Sequence, residues 1–245
     1  YNLQFRAKYG QTIIACDGGS WRKNVYKYYK AKRKTNRDES PLDWNEFFRL
    51  INMVRDELKD NFPYPVLQVE GAEADDIIAT LTKNTQEFGQ DEPVVIVSSD
   101  KDFLQLQQYY NVKQYSPNKK GFITVEDPHY SKFEHVCKGC SGDGVPNILS
   151  VDESIAEGIR QSPMRKKKIE EWYNNRNSLE AIMPTEVYRN YHRNRIMIDF
   201  DYIPDDMEED IYNTYKNIKV QSKQKILPYL INNDLKELIG KIEEF

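Results

Sequence analysis

Five carboxylates fall into two short clusters between residues 73 and 102. Glu73, Asp75 and Asp76 begin a predicted helix, and Asp100 and Asp102 directly follow an apolar run. Like charges held this close repel one another unless a cation lies between them. Carboxylate oxygens are the ligands that suit Mg²⁺ or Mn²⁺. Acids in a first helical turn also stabilise the helix dipole, but two clusters beside strand ends favour a metal site.

The elements that must position these acids alternate between strands and helices. Residues 12–16, 66–69 and 94–97 are apolar runs that predict buried parallel strands, and 72–86 predicts a helix. Sites in open parallel sheets lie at the carboxyl ends of the strands, where Asp17 stands after the first of these runs. We therefore predict an α/β fold with a mainly parallel central sheet flanked by helices.

The second half of the chain has a different pattern. A β-hairpin is predicted over 112–116 and 121–125, and helical periodicity follows from about residue 126. A turn over 140–147 lies between two helical stretches. We predict an α/β domain over residues 1–125 and a helical region over residues 126–245.

Composition bounds the class of protein. The 245 residues suffice for a full core, and the net charge is −4. Three cysteines cannot build a disulfide framework and fit a reducing compartment. No apolar run approaches the ~18 residues of a membrane helix, and no signal peptide is apparent. We therefore expect a cytoplasmic protein.

Basic residues are concentrated in two segments despite the acidic net charge. Residues 21–37 contain eight Lys or Arg and no acid, and residues 160–168 contain five. Runs of charge are often only solvated surface. Together with an acidic pocket, however, basic flanks suit a metal-dependent nuclease, in which cations hold phosphate and anions hold metal.

The first basic segment offers a phosphate clamp. Lys30 and Arg33 lie three residues apart and would share one face of a helix, from which they could hold a phosphate. Four aromatic residues accompany them and could either stack on bases or pack as core. These aromatic residues are Trp21, Tyr26, Tyr28 and Tyr29.

The segment Gly139–Gly144 has the small residues that allow a backbone to approach phosphate closely, although an ordinary helix–helix turn would use them too. Cys137 and Cys140 form a C-x-x-C pair that could indicate zinc or redox chemistry. His135 is near, but no second pair accompanies them, so the pattern disfavours zinc.

Four ordered motifs resemble the 5′-nuclease (flap endonuclease) superfamily, above all the ribonucleases H of T-even-type bacteriophages. The resemblance extends over nearly the whole chain and implies a helix–turn–helix that binds duplex DNA in the helical region. The motifs are CDGGSWRKNVYKYYKAKR, GAEADDIIATL, VVIVSSDKDFLQL and KGCSGDGVPNILS.

The resemblance implies roles for individual residues. Lys30 and Arg33 match the residues that contact the scissile phosphate. Asp76 would contact the metal ligands without binding the metal itself. The implied ligands of two Mg²⁺ ions, for which Mn²⁺ could substitute, are Asp17, Glu73, Asp75, Asp100, Asp102 and Asp143. The residues expected to contact DNA are Arg22, Lys27, Gly142, Gly144, Lys166, Lys167 and Lys168.

The chain departs from the family pattern twice. The family begins with a strand that carries a further metal-binding Asp, and nothing before Asp17 supplies it; this suggests a chain that lacks its N-terminal segment. The turn also has Cys140 where the family has Asp. Because sulfur is a poor ligand for Mg²⁺, this replacement is expected to weaken the second metal site.

The leading hypothesis is therefore a Mg²⁺-dependent 5′→3′ exonuclease and flap endonuclease that hydrolyses flaps, nicked duplex and RNA–DNA hybrids and removes RNA primers. A monomer that works with replication proteins, such as a single-stranded-DNA-binding protein or a sliding clamp, is expected. One alternative is a structure-specific DNA-binding protein or catalytically impaired fragment. Another is a PIN-like ribonuclease, which the basic arch and the helix–turn–helix disfavour.

Overall fold

The computed structural model describes residues 1–87 and 90–245, apart from the side chains of Leu3 and Lys34. No helix in these parts of the chain is long and apolar enough to cross a membrane. The helices are α1 (Asn2–Tyr9), α2 (Arg22–Val25), α3 (Lys32–Asp38), α4 (Trp44–Asn61), α5 (Ala74–Asn84), α6 (Pro128–Lys138), α7 (Lys166–Asn174), α8 (Leu179–Ile182), α9 (Thr185–Ile198), α10 (Asp205–Asn217), α11 (Ile226–Asn232) and α12 (Lys236–Ile239). The strands are β1 (Ile14–Cys16), β2 (Val66–Gln68), β3 (Val94–Val97), β4 (Val112–Ser116) and β5 (Gly121–Ile123).

The chain forms two compact units. The first unit comprises residues 1–19, 41–95 and 206–245, and the second comprises residues 20–40 and 96–205. Each unit therefore combines segments that are distant in sequence. The predicted division into 1–125 and 126–245 stays a prediction.

The first unit contains the parallel pair that the sequence predicts. β1 and β2 run parallel, with Ile14 opposite Val66, and α5 packs against β1. Between the two strands, Asp43 directly precedes α4. Its carboxylate accepts the N–H groups of Asn45 and Glu46 and so caps the helix. One core cluster of this unit consists of Leu67, Val69, Ala72, Ile77 and Ile211, and another consists of Phe62, Ile226 and Leu230.

The second unit contains the predicted hairpin. β4 and β5 pair antiparallel with Gln114 opposite Ile123, and β3 lies beside β4. A 3₁₀-helix over Lys101–Gln108 follows β3. A core cluster of this unit is built mainly from α6, α7 and α9 and includes Trp172, which is 1% exposed.

The 140–147 turn lies between two helices, as the sequence predicts, but the second helix begins only after a stretch of turns. α6 ends before the turn at 140–147, but residues 152–158 form turns and the next helix, α7, begins only at Lys166. Asn147 accepts the N–H of Leu149 and the hydroxyl of Ser150, and Ser150 accepts the N–H of Ser162. Such side-chain bonds compete with helical hydrogen bonds, which explains why the chain leaves the helix here.

Candidate active site

Asp17 lies where the sequence predicts, directly after β1. Its Oδ1 accepts the N–H of Ala74 at 2.8 Å, and its carbonyl accepts the side-chain amide of Gln68 at 2.7 Å. Ala74 is the first residue of α5. The hydrogen bond therefore fixes the Asp17 carboxylate at the helix terminus beside Glu73 and Asp75.

The turn after Asp17 depends on glycine. Gly18 donates to the carbonyl of Ala72 at 2.8 Å and accepts from Gly71 at 3.0 Å. A Cβ on Gly18 would lie 1.9 Å from the carbonyl oxygen of Val69, so a larger residue cannot occupy this position without moving the backbone. The close approach brings the end of β1 to the segment that precedes α5.

The three acids at the start of α5 differ in exposure. Glu73 is 6% exposed and Asp76 is fully buried, whereas Asp75 is half-buried. Asp76 Oδ2 accepts the N–H of Glu73 at 3.0 Å, which stabilises the first turn of the helix. This contact agrees with a supporting position for Asp76, although its role stays a prediction.

In the second unit, Asp100 and Asp102 lie at the start of the 3₁₀-helix that follows β3. Asp100 Oδ1 accepts the N–H of Asp102 at 3.0 Å. The side-chain amide of Gln114 on β4 donates to the carbonyls of Ser98 and Asp100. Gln114 thus holds the strand end from across the sheet. The sequence gives no local signal for this role, because Gln114 lies in another element.

Asp102 has a histidine neighbour on α6. His135 Nδ1 lies 3.3 Å from Asp102 Oδ1. Burial, and secondarily the charge of Lys101, lowers the pKa of His135 to about 4. The imidazole is therefore neutral at neutral pH and adds no positive charge beside Asp102.

The basic segment and the 140–147 turn meet at Asp143. Arg33 Nη2 donates to Asp143 Oδ1 at 2.7 Å, and Lys30 Nζ lies 3.5 Å from the same oxygen. The N–H of Lys30 also donates to the carbonyl of Asp143 at 2.7 Å. The turn allows this approach at Gly144, where φ is +76° and a Cβ would lie 2.6 Å from the carbonyl oxygen of Tyr28.

The prediction that Lys30 and Arg33 share one helical face is wrong. Lys30 has φ of +54° and lies before α3, whereas Arg33 lies within it. A left-handed residue cannot belong to a right-handed helix. The two cations instead come together through their common partner, Asp143.

The C-x-x-C cysteines lie in surroundings that disfavour the thiolate. Burial raises the pKa of Cys137 to about 12, and burial together with Asp143 and Asp102 raises the pKa of Cys140 to about 12. Both thiols stay protonated at neutral pH, whereas the thiolate is the form that binds metal. Cys140 Sγ instead donates to Asp143 Oδ2 at 3.5 Å.

The predicted ligands belong to both units. Within each unit, the described residues include no group of three or more His, Cys, Asp or Glu side chains positioned to hold a metal. The joint metal site therefore stays a prediction. Its ligands would be Asp17, Glu73 and Asp75 from the first unit and Asp100, Asp102 and Asp143 from the second.

The aromatic residues of the basic segment are mostly core. Trp21, Tyr26 and Tyr29 are at most 9% exposed, and both tyrosines belong to the core cluster of the second unit. The structure thus decides in favour of packing for these three residues. Tyr28 is half-buried and lies beneath Lys27, whose Nζ is 4.7 Å from the ring centroid.

Two of the residues expected to contact DNA are buried within the second unit. Arg22 is 3% exposed, and its Nε donates to the carbonyl of Met197 at 2.9 Å. Gly144 is also buried, whereas Gly142 is exposed with no atom within 4 Å of an added Cβ. Gly144 therefore packs against the backbone of Tyr28 and is not available for contact with DNA.

The lysines of α7 remain on the surface. Lys166 and Lys167 are exposed and Lys168 is partly exposed. Lys166 lies 3.7 Å from Glu170, and Lys168 lies 3.2 Å from Glu171. Exposed pairs of this kind contribute little to stability, so these lysines can exchange their carboxylate partners for phosphates.

Two family models together match nearly the whole chain. The model described as "5′-3′ exonuclease, N-terminal resolvase-like domain" matches residues 2–134, and "T4 RNase H, C terminal" matches residues 128–245. The chain is 34% identical over 259 aligned positions to ribonuclease H of Enterobacteria phage T4, covering 100% of this chain and 84% of that protein. This chain belongs to the 5′-3′ exonuclease family. It is a 5′-nuclease, a hydrolase that acts on nucleic acid, and the resemblance seen in its motifs is confirmed.

One further relative resembles the chain in sequence, and one solved structure resembles it in fold. The 5′-3′ exonuclease of Mycoplasmopsis pulmonis is 29% identical, with 62% of this chain and 50% of that protein covered. The bacteriophage T5 flap endonuclease, solved as a complex with DNA and metal ions, superposes with a TM-score of 0.61 at 19% identity, covering 88% of this chain and 86% of that one. The likeness to the T5 structure confirms the fold.

Proposed function

We propose that this 5′-nuclease depends on Mg²⁺, with Mn²⁺ as a substitute, and cleaves 5′-flaps, nicked duplex and RNA–DNA hybrids to remove RNA primers. The cluster at Asp143 carries the proposal. There, a predicted metal ligand and two predicted phosphate-binding cations, Lys30 and Arg33, are in contact. The likeness to a phage ribonuclease H over the full chain supports the same substrates.

The donor set fits a hard divalent cation, because all six predicted ligands are carboxylates. Asp17 and Asp100 each accept a backbone N–H through Oδ1. In both residues, we assign metal binding to the other carboxylate oxygen, Oδ2. We assign the first ion to Asp17, Glu73, Asp75 and Asp100, and the other to Asp143 with Asp75 or Asp102. When bound, such ions supply an activated water and neutralise charge on the phosphate.

Lys30 and Arg33 are assigned to the scissile phosphate. Arg33 is 52% exposed and donates from Nη2 to Asp143. A guanidinium has five N–H groups in a fork that matches phosphate oxygens. Asp143 therefore orients the two cations before substrate binds, and the cations stabilise the charge that develops on the phosphate during hydrolysis.

The surface for the duplex is assigned to exposed residues only. Lys27, Lys166, Lys167 and the half-exposed Lys168 carry the positive charge, and Gly142 allows close approach of the backbone. Arg22 and Gly144 are left out of this surface because both are buried. A replication protein such as a single-stranded-DNA-binding protein or a sliding clamp is the proposed partner of a monomeric nuclease.

A cleavage assay on a 5′-labelled flap substrate tests the proposal. Protein treated with a chelator should not cleave, and added Mg²⁺ or Mn²⁺ should restore cleavage and leave a 5′-phosphate on the product. Cleavage at an undiminished rate in the chelator would exclude metal dependence. Tight binding of the flap without hydrolysis at any Mg²⁺ concentration would instead favour the DNA-binding alternative.

A further inference from the structure

A cavity of about 390 Å³ opens on the second unit among α6, α7 and α9. This volume falls within the usual range of ligand pockets, ~300–1,000 Å³. None of its described lining residues belongs to the proposed active site or to the proposed duplex-binding surface. The family assignment therefore leaves this cavity unexplained.

Two arginines in the lining are held by aromatic rings. The guanidinium of Arg176 lies 4.7 Å from the ring centroid of Tyr173, and that of Arg195 lies 4.7 Å from the ring of Tyr202 and 5.9 Å from Tyr191. Stacking restricts a guanidinium before any ligand arrives, so less entropy is lost when it binds a carboxylate or phosphate. The cavity is thus prepared for an anion.

The other charges of the lining compensate one another. The Asp199 side chain is 1% exposed and lies 3.0 Å from Lys132 Nζ and 3.4 Å from Arg195 Nη2. Lys132 also contacts Asp201 at 2.7 Å. Since Lys132 faces two carboxylates, Arg176 and the remaining donors of Arg195 must provide the attraction for an incoming anion.

The inner part of the cavity is apolar. Phe133 and Val136 are 6% and 2% exposed. The ring of Phe133 packs 5.4 Å from Tyr173 and 5.5 Å from Tyr191. This surface suits an aliphatic or aromatic group, so the ligand should combine negative charge with a bulky apolar part.

The surroundings disfavour the backbone of a nucleic acid. Asp127 Oδ2 lies 3.2 Å from the hydroxyl of Tyr173. The ring of Tyr130 lies 5.1 Å from that of Tyr173. Burial, and then the charges of Glu134 and Glu170, raise the pKa of Tyr130. A continuous row of phosphates would meet these acids, whereas a peptide can place a few carboxylates at the arginines alone.

We propose that this cavity binds a peptide segment of a partner protein in which acidic side chains flank a bulky apolar one. The carboxylates bind Arg176 and Arg195, and the apolar side chain enters against Phe133 and Val136. This binding is separate from the cleavage site, so its loss leaves hydrolysis unchanged.

The test is fluorescence anisotropy with a labelled short peptide that alternates Asp or Glu with Phe or Leu. Arg176→Ala should weaken binding ~10-fold or more, as expected when a charge-assisted hydrogen bond is removed. Arg49→Ala, which removes an exposed arginine of α4 outside the cavity, should leave the affinity unchanged. Both variants should cleave a flap at the wild-type rate, which also verifies their folding.

Three outcomes would overturn the proposal. The first is equal affinity of the Arg176→Ala and Arg49→Ala variants for the peptide. The second is equal binding of a peptide with Asn and Gln in place of the acids. The third is displacement of the peptide by single-stranded DNA of the same charge, with an affinity that also depends on Arg176, which would identify a nucleic-acid site.

Discussion

At the scale of single residues, Asp143 is the best-defined part of the candidate site. Its carboxylate contacts Arg33 and Lys30, and the Cys140 thiol donates to it. The sequence motif predicts this aspartate and both cations. It does not predict how they meet, because the positive φ of Lys30 is a property of the folded turn.

Replacing Arg33 should affect chemistry more than binding. We expect Arg33→Ala to lower the cleavage rate ~10²-fold, which is typical when a group that stabilises a developing charge is removed, with little change in affinity for duplex DNA. Single-turnover cleavage and equilibrium binding of one flap substrate measure the two effects. Lys32→Ala, an exposed cation one position away, is the matched control. Similar effects of both variants would contradict the specific role of Arg33.

Because of Tyr26, the stability of the second unit against unfolding should fall at high pH. Burial raises the pKa of Tyr26 to about 12, from about 10 in the unfolded chain. Above pH ~10 the unfolded chain therefore releases this proton before the folded one, and stability falls until pH ~12. Below pH 10 the contribution is fully present.

Urea unfolding between pH 9 and 12 should show this loss, and Tyr26→Phe should show a shallower dependence on pH. Tyr110→Phe is the control, since Tyr110 is 81% exposed. Equal slopes for both variants would mean that Tyr26 ionises as readily in the folded protein as in the unfolded chain.

At the scale of elements, the sequence predicted the strands and helices that depend on local hydrophobic patterns. The strand runs, the hairpin over 112–116 and 121–123 and the helix that carries Asp75 were found with small shifts at their ends. The helix after the 140–147 turn begins only at Lys166, because bonds from Asn147 and Ser150 first connect residues up to 15 positions apart. Such contacts cannot be read from periodicity.

The 140–147 turn provides a matched pair of glycines. Gly144→Ala should destabilise the protein by at least ~1 kcal/mol, because alanine is strained at positive φ and its Cβ would lie 2.6 Å from the Tyr28 carbonyl. Gly142→Ala should leave stability unchanged, since nothing lies within 4 Å, but should weaken DNA binding if the backbone approaches phosphate there. Thermal unfolding and a binding titration separate the two effects. Equal stability of the two variants would contradict this account of the turn.

At the scale of the whole molecule, the net charge of −4 conceals a separation of charge. Acids cluster at the ends of strands, and three consecutive lysines occupy the first turn of α7. The residues proposed for the site come from the resemblance of the four sequence motifs to the family. The sequence could not give their mutual distances, since Asp17 and Asp75 belong to one compact unit and Asp100 and Asp143 to the other.

The lysines of α7 should contribute affinity without specificity. Changing Lys166, Lys167 and Lys168 to Gln should weaken binding to all duplexes alike and lower the slope of log K against log salt by ~0.9 for each phosphate that is no longer neutralised. The cleavage rate at saturating substrate should stay unchanged. An unchanged salt slope would exclude these lysines from the DNA-binding surface.

The most direct test of the central claim is single-turnover cleavage of a 5′-flap in Mg²⁺ by the Asp100→Asn variant. We predict loss of cleavage with flap affinity retained or increased, because the substitution removes a metal ligand and a negative charge near phosphate. Asp210→Asn, at an exposed position of α10, should cleave like the wild type. Full cleavage by Asp100→Asn would contradict the metal-dependent site proposed for this nuclease.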